Sequence, residues 1–238
     1  MRISALLLLA ALGLGTPAAA TILTFDQCGG DPNAAIQGVC NGGLVNQSYG
    51  DRATAEMMNG GLFRYINDGE GWTPNVVASY GPNPNAVRGY FTGYRPLANV
   101  LWVEKDPGIF QLTLQADAGF QVLLYNFELA IFSDVVSSVT AKQIRVSDQD
   151  GTQWLNLTNR AIVDAETFFF FTPAASAGGG FLQIEFDLTN LPLDVNREYL
   201  AIDNIRFGQA AATAIPEPGS LTLLGIGLAL GAFMRRRT

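Results

Sequence analysis

Any chemistry in this chain has to come from carboxylates, tyrosines or a bound metal ion, because none of its 238 residues is a histidine. Without imidazole, the chain cannot build a Ser-His-Asp or Cys-His nucleophilic site, or a zinc or iron centre with histidine ligands. Asp and Glu are plentiful, with 21 residues in all. A polysaccharide hydrolase would need two of them facing each other across a cleft, ~5–10 Å apart. The sequence singles out no such pair.

Asp203 is the carboxylate with the most unusual setting. In the strand-like segment from Tyr199 to Phe207 it alternates with Ile205 and Phe207, which predicts a side chain that faces the core. A buried carboxylate needs a partner, and calcium would supply one. Hydrogen bonds from backbone amides, or a β-bulge that turns the side chain outward, would meet the same need.

Aromatic rings are the second candidate chemistry, because an exposed ring can stack on a sugar. Most aromatics in a domain of this size fill the core instead. Phe168 to Phe171 is predicted as a buried strand, because an exposed run of phenylalanines would risk aggregation. The rings that could stack on a sugar are Trp72, Tyr80, Tyr90, Tyr94, Trp102 and Trp154.

Short alternating segments must position these side chains. The clearest runs from Phe181 to Leu188, where Leu182, Ile184 and Phe186 alternate with polar residues and leave one face wet. Turn signals such as Asp150-Gly151 separate this and similar segments. We therefore predict an all-β fold, a two-sheet antiparallel β-sandwich of the jelly-roll type, over residues 21–208.

The N-terminus has the pattern of a secretory signal peptide. Met1-Arg2 is followed by an apolar run from Ile3 to Leu14, and Ala18 to Ala20 supply the small residues that signal peptidase requires. We predict a signal helix over 1–20 and a mature chain that starts near Thr21. A buried N-terminal helix or a lasting anchor is the alternative.

The C-terminus carries a second apolar segment, predicted as a short transmembrane helix over 219–234. The cluster Arg235-Arg236-Arg237 follows it, and each guanidinium would cost a few kcal/mol at the membrane centre, so this end stays cytoplasmic. The segment is shorter than the ~20 residues of a usual span. Residues 209–215, small and uncharged, are predicted as a flexible linker.

This tail resembles the PEP-CTERM sorting signal. Pro216-Glu217-Pro218, a glycine-bearing apolar stretch and the terminal arginine cluster occur in the expected order over residues 216–238. The resemblance implies a bacterial substrate of an exosortase, a membrane protease that would process the tail near the Pro-Glu-Pro motif. It also implies an association with extracellular polysaccharide. An ordinary tail anchor is the alternative.

The central domain resembles galactose-binding-like jelly rolls of the carbohydrate-binding-module type. The resemblance is carried by Leu23-Thr24-Phe25-Asp26 in the first strand and by Ala201-Ile202-Asp203-Asn204 in the last. In that family the first and last strands lie together and often hold a structural calcium ion. The resemblance implies that Asp26 and Asp203 are calcium ligands.

Charge and cysteine content limit the partners. Four of the 14 basic residues and one of the 21 acidic residues lie in the two ends, which leaves −10 on the exported part. Such a domain should be repelled by nucleic acid and by anionic lipid. Cys28 and Cys40, an even pair in an exported chain, predict a disulfide worth about 3 kcal/mol, with two free thiols as the alternative.

Together these features predict a protein without catalytic activity that crosses the inner membrane of a bacterium. Signal peptidase and exosortase would be its partners during export, and the inner membrane would hold it transiently through the tail. It would end at the cell surface or in the extracellular polysaccharide matrix, where a carbohydrate is the expected ligand. A carboxylate-based polysaccharide hydrolase and a purely structural matrix component remain the alternatives.

Overall fold

The computed structural model describes residues 19–25, 41–67, 69, 71–90, 93–104, 108–192 and 199–212. Two short 3₁₀ turns, Asn59–Gly61 and Pro84–Ala86, are the helical elements of these ranges, and all other regular structure is β. The strands are β1 (Ala19–Leu23), β2 (Asn41–Leu44), β3 (Met57–Met58), β4 (Phe63–Ile66), β5 (Val76–Gly81), β6 (Val87–Tyr90), β7 (Val100–Val103), β8 (Ile109–Ala116), β9 (Phe120–Ile131), β10 (Val139–Asp148), β11 (Gln153–Ile162), β12 (Glu166–Ala175), β13 (Phe181–Asp187) and β14 (Leu200–Ala211).

The strands form two antiparallel sheets. The nine-stranded sheet has the order β2-β6-β7-β14-β1-β4-β3, with β9 on the other side of β14 and β12 beyond β9. The five-stranded sheet has the order β11-β10-β13-β8-β5. This arrangement confirms the all-β class and is that of a β-sandwich, whereas the jelly-roll connectivity stays a prediction.

One apolar core joins the inner faces of the two sheets. The five-stranded sheet contributes Leu112 and Ile184, and the nine-stranded sheet contributes Leu129 and Ile202, all of them buried in the same cluster. In β13 the predicted alternation is confirmed, because Leu182, Ile184 and Phe186 all point into this core. Alternation of this kind buries one face of each strand.

The polar face of β13 is less exposed to solvent than the sequence predicts, because neighbouring side chains cover it. Glu185 and Asp187 are each 8% exposed. Arg145 donates to Glu185 at 2.9 Å and Lys142 donates to Asp187 at 2.9 Å. Burial raises the pKa of Asp187, but hydrogen bonds from Thr189 and the charge of Lys142 outweigh the burial and leave it below its usual value.

The turn predicted at Asp150-Gly151 is present and closes the β10–β11 hairpin. Oδ1 of Asp148 accepts hydrogen bonds from the amides of Asp150, at 3.0 Å, and Thr152, at 2.9 Å. Gly151 has a positive φ of 80°, a conformation that glycine adopts without strain. An Asx-type turn therefore joins the two strands.

The prediction that Phe168 to Phe171 is a buried strand is wrong in part. Phe168 is buried at 8% exposure, but Phe169 is 68% exposed and Phe171 is 105% exposed. Among the described strands, β12 pairs with β9 alone, so it lies at a sheet edge, and its register breaks between Phe169 and Ala174. The residues of the break leave the ladder, and Phe171 projects into solvent.

The two ends of the domain differ from the predicted boundaries. Strand β1 begins at Ala19, two residues before the predicted mature start, and Thr21, Ile22 and Leu23 supply three of its pairs with β14. Strand β14 continues to Ala211, which pairs with Phe120. The linker predicted over 209–215 is therefore wrong for residues 209–211, because β9 supplies a hydrogen-bonding partner for them.

Several sequence predictions fall outside the described residues. These are the signal helix as far as residue 18, Asp26, the pair Cys28 and Cys40, the sorting motif and the transmembrane segment 219–234. In the part of the chain that the structure describes, no helix has the length and apolarity to cross a membrane.

The stacked pair Phe110 and Phe186 tests the two-sheet core. Their ring centroids are 4.7 Å apart, the ring planes differ by 9°, and both side chains are fully buried. We expect Phe186→Ala to lower the free energy of unfolding of the processed protein by about 3–5 kcal/mol, measured by urea denaturation. Phe171→Ala removes the same side chain from solvent and should change the free energy by less than about 0.5 kcal/mol. Equal losses would contradict this core.

Candidate functional site

The outer face of the nine-stranded sheet carries a second, smaller apolar cluster. In β7, Leu101 and Val103 join the main core, so Val100 and Trp102 point to the opposite side. Trp102 is opposite Ala201 of β14, and Ala201 is in turn opposite Ala130 of β9. Because alanines occupy this row on the next two strands, the sheet surface beside the indole has a shallow floor that larger rings can surround.

Five aromatic side chains surround this floor and enclose a cavity of about 160 Å³. Phe132 is the central ring, with centroids 5.2 Å from Tyr94, 5.7 Å from Tyr199 and 6.0 Å from Tyr90. Edge-to-face and offset contacts at these distances stabilise aromatic clusters. We call this site the aromatic pocket, and its lining residues are Tyr90, Tyr94, Trp102, Phe132 and Tyr199.

The chain around Gly93 holds one wall of the aromatic pocket. The carbonyl of Gly93 accepts hydrogen bonds from the amide of Ser133 at 2.9 Å and from its hydroxyl at 3.3 Å. Gly93 has a φ of +89°, and a Cβ at this position would overlap the ring of Phe132. Glycine is therefore required for both reasons, since it permits this φ and lets the loop approach the ring.

Ion pairs flank the aromatic pocket. Arg88, which is opposite Trp102, pairs with Glu104. Beyond Tyr94, Arg95 lies 3.8 Å from Asp134, in an exposed pair. The site is thus an apolar pocket beside which Arg88 and Arg95 are both matched by carboxylates.

The indole N–H of Trp102 is not hydrogen-bonded to any residue that the structure describes. Its Nε1 is buried and has no hydrogen-bond partner among the described residues. A buried N–H without a partner costs about 1–3 kcal/mol. Among the described residues, the indole is therefore held by packing in the smaller apolar cluster and not by a hydrogen bond.

The predicted site residue Asp203 lies on the same sheet, and its surroundings correct the reasoning from alternation. Leu200 and Ile202 face the main core before it, and Ile205 and Phe207 face the core after it. An extra residue therefore lies between them, and Asn204 adopts a φ of +49° where the register with β9 shifts. The side chain of Asp203 belongs to a β-bulge, which was one of the alternatives to a simple core-facing position.

Hydrogen bonds occupy the carboxylates at this bulge. Oδ1 of Asp203, which is 3% exposed, accepts the amide of Asn204 at 2.7 Å. Glu128 lies opposite Asp203 and accepts from Nδ2 of Asn204 at 2.9 Å and from the hydroxyl of Thr167 at 3.2 Å. The two acids therefore stabilise the bulge.

The predicted metal site is not tested by these residues. Strands β1 and β14 do pair, with Leu23 opposite Ile205, so the first and last strands lie together as expected. Asp26 lies outside the described residues, and among those described no group of three or more acidic or cysteine side chains could hold a metal ion. The roles of Asp26 and Asp203 as ligands stay predictions.

The other predicted aromatic candidates lie apart from the aromatic pocket. Tyr80 belongs to the main core, where its hydroxyl donates to the carbonyl of Tyr49 at 2.8 Å and burial raises its pKa well above the usual value. Trp72 lines a separate cavity of about 320 Å³ beside the Arg64–Glu56 pair. Trp154 is 36% exposed on edge strand β11.

Phe132 and Tyr199 are functional candidates that the sequence reasoning missed. Phe132 comes one residue after β9 and Tyr199 one residue before β14, and the amide of Phe132 donates to the carbonyl of Tyr199 at 2.9 Å. Aromatic residues at the ends of two neighbouring strands were the available signal. Neither could be placed beside Tyr90 without the strand order.

Gly93→Ala tests whether the loop and Phe132 pack as described. Alanine at a positive φ costs about 1–2 kcal/mol in any setting. Gly119 has a similar φ of +85° but open space around it, so Gly119→Ala measures that cost alone. We expect Gly93→Ala to lower the free energy of unfolding in urea by a further 1–3 kcal/mol or so, because the new methyl group overlaps the ring. Equal effects of the two substitutions would contradict this wall of the pocket.

Three solved structures show distant likenesses to this chain. The structure of TmCBM61 in complex with β-1,4-galactotriose is 10% identical over 56% of this chain and 88% of its own, with a TM-score of 0.27. The enzymatically active domain of bacteriophage CBA120 tailspike protein 4 is 16% identical over 56% of this chain and 18% of its own, with a TM-score of 0.21. The GH31 α-xylosidase from Xanthomonas citri is 12% identical over 82% of this chain and 25% of its own, with a TM-score of 0.15. Scores this low carry no argument about this chain.

Sequence comparison is specific only at the C-terminus. No curated protein sequence matches this chain. Residues 214–237 match the PEP-CTERM protein-sorting motif, over the same segment that the Pro-Glu-Pro triplet and the arginine cluster indicate. The chain carries a PEP-CTERM sorting signal, which marks it as an exosortase substrate exported by a bacterium.

Proposed function

We propose that this protein is a non-enzymatic component of the cell surface or extracellular polysaccharide matrix, and that the aromatic pocket binds a neutral sugar. The observation that carries the proposal is the convergence of five aromatic rings on the outer face of one sheet. The sorting signal supplies the destination. The pocket supplies the binding site, and saccharides are abundant ligands at the cell surface and in the polysaccharide matrix.

The chemistry of the pocket suits a sugar ring. One face of a pyranose presents C–H groups, which are apolar and slightly positive, and aromatic faces are negative and apolar. Tyr90, Trp102, Phe132 and Tyr199 are each partly exposed, so their rings are accessible to a ligand. A cavity of about 160 Å³ is smaller than the ~300–1,000 Å³ of sites for drug-sized ligands, so it suits a single terminal ring.

Electrostatics favours an uncharged ligand. Arg88 and Arg95, which flank the pocket, are both paired with carboxylates. Among the lining residues that the structure describes, an anionic saccharide would find no unmatched cation, and the surrounding domain is acidic.

The alternative of a carboxylate-based hydrolase receives no support from the described acids. None of the described residues that line the aromatic pocket carries a carboxylate. Glu56, which lines the larger cavity, is paired with Arg64 at 3.4 Å. Asp203 and Glu128 accept hydrogen bonds that stabilise the bulge, whereas a hydrolase needs two acids flanking an open cleft.

Trp102→Ala tests the proposed ligand site. Wild-type protein is screened on a glycan array, and the affinity for the best neutral saccharide is then measured by calorimetry. We expect Trp102→Ala to weaken binding roughly thirtyfold, or about 2 kcal/mol, as for removal of a buried aromatic anchor. Trp154→Ala removes a tryptophan that lies 36% exposed on the other sheet and should leave the affinity unchanged.

Two results would count against the sugar site. Equal affinity of the two variants would mean that the saccharide binds outside the aromatic pocket. Absence of binding to any neutral glycan by folded wild-type protein would favour the purely structural alternative. Urea denaturation of both variants separates a lost contact from a lost fold.

A structural calcium ion is a further proposal, implied by the resemblance to galactose-binding-like domains. Asp203 is buried at 3% exposure, and β1, which leads to Asp26, pairs with β14 beside it. Calcium prefers oxygen ligands of this kind. We expect a calcium chelator to lower the Tm of the wild-type protein by several degrees, and added calcium to restore it. A Tm that is unchanged by chelator would refute the ion, and Asp203→Asn should abolish the response.

A further inference from the structure

The two apolar ends of the chain leave the sandwich at the same end. Strand β1 begins at Ala19, which pairs with Gln209 near the end of β14. Because the strands are antiparallel, the start of β1 lies beside the end of β14. The predicted export signal and the sorting signal therefore both attach to one end of the domain, which we call the tail-bearing end.

The tail is fixed to the fold almost up to its sorting motif. The amide of Ala212 donates to the carbonyl of Gly119 at 2.8 Å. Ala212 also packs closely on Gly178. A Cβ added to Gly178 would lie 2.7 Å from the Cβ of Ala212. Only residues 213–215 separate it from Pro216. Four steps of extended chain span at most about 14 Å, so the motif cannot move far from the folded domain.

The aromatic pocket lies at the opposite end of the same strand. Tyr199, which lines it, directly precedes β14, and Ala211 ends that strand. At ~3.3 Å per residue, the strand places roughly 36 Å between its two ends. A domain held at its tail-bearing end therefore presents the pocket on its far side.

We propose that the tail-bearing end docks on the membrane-embedded protease that processes the tail, and that the aromatic pocket faces away and is open to ligand while the chain is still tethered. This inference rests on the sorting function. The protease must grip a motif that starts within about 14 Å of Ala212, so its surface meets the loops that surround that residue. Those loops are the β8–β9 turn, residues 117–119, and residues 177–180.

The charges at this end favour a protein partner over a lipid surface. Arg52 binds Asp117 through two hydrogen bonds, at 2.5 Å and 2.8 Å. These bonds lower the pKa of Asp117, so its carboxylate stays ionised and the Arg52–Asp117 pair has no net charge. A matched pair offers no net positive charge to anionic headgroups.

Photo-crosslinking of the full-length chain in its native host tests the docking. A photoreactive phenylalanine analogue replaces Ala118, which is exposed at the tail-bearing end, or Val135, which is 57% exposed near the aromatic pocket. The host carries a catalytically inactive protease, so that the substrate accumulates. We expect an adduct with the protease from position 118 and none from position 135. Adducts with lipid alone, or equal adducts from both positions, would overturn the proposal.

A lengthened tether provides the second test. Insertion of ten Gly and Ser residues between Ala212 and Thr213 adds a flexible reach of about 17 Å. We expect the adduct from position 118 to fall several-fold, because the loops are no longer held at the protease. An unchanged adduct would refute the short tether as the cause of the contact.

Processing itself separates this inference from the sorting function. Mass spectrometry of wild-type chain from cells with active protease should show loss of the arginine cluster. Loss of the cluster without an adduct from position 118 would refute the docking alone. An intact C-terminus in those cells would instead refute the sorting function.

Discussion

Strand β14 is hydrogen-bonded along both of its edges, to β9 on one side and to β7 and then β1 on the other. The pocket and the tail both depend on this double pairing. Near its start, Ala201 lies between Trp102 and Ala130 and makes the floor of the pocket. At its end, pairing continues through Ala211 and holds the tail to the fold. A central strand is among the last parts of a sheet to open, so both features share the most stable part of the domain.

The bulge in β14 decides which side chains reach which face. Side chains of a strand alternate with a period of two, so one inserted residue moves all later residues to the other face. Because Asn204 takes a left-handed conformation, Ile202 and Ile205 can both face the core although they are three positions apart. Alternation counted backward from Phe207 therefore misplaces Asp203. Nothing local in the sequence marks the insertion, since asparagine is also common in turns and loops.

Features set by local sequence could be predicted, and features set by strand order could not. The alternation of β13 and the turn at Asp150-Gly151 depend on neighbouring residues, and both are present. The exposure of Phe171 depends on β12 being an edge strand, which is a property of the whole sheet. The aromatic pocket unites residues from β6 to β14, so sequence could single out Trp102 but could not group it with Phe132.

The acidity of the domain and the neutrality of its pocket are linked. A net charge of −10 on the exported part keeps it soluble and repels polyanions, including acidic polysaccharides. Around the pocket, however, the described pairs Arg88 with Glu104 and Arg95 with Asp134 each have no net charge, so these four residues add little to the local electric field. Affinity for the proposed sugar ligand would come from ring contact and from water released by apolar surfaces, which salt does not screen as it screens charges. Under the proposed function, such a site would distinguish sugars by the shape of their apolar face, and it would do so inside a charged matrix as well.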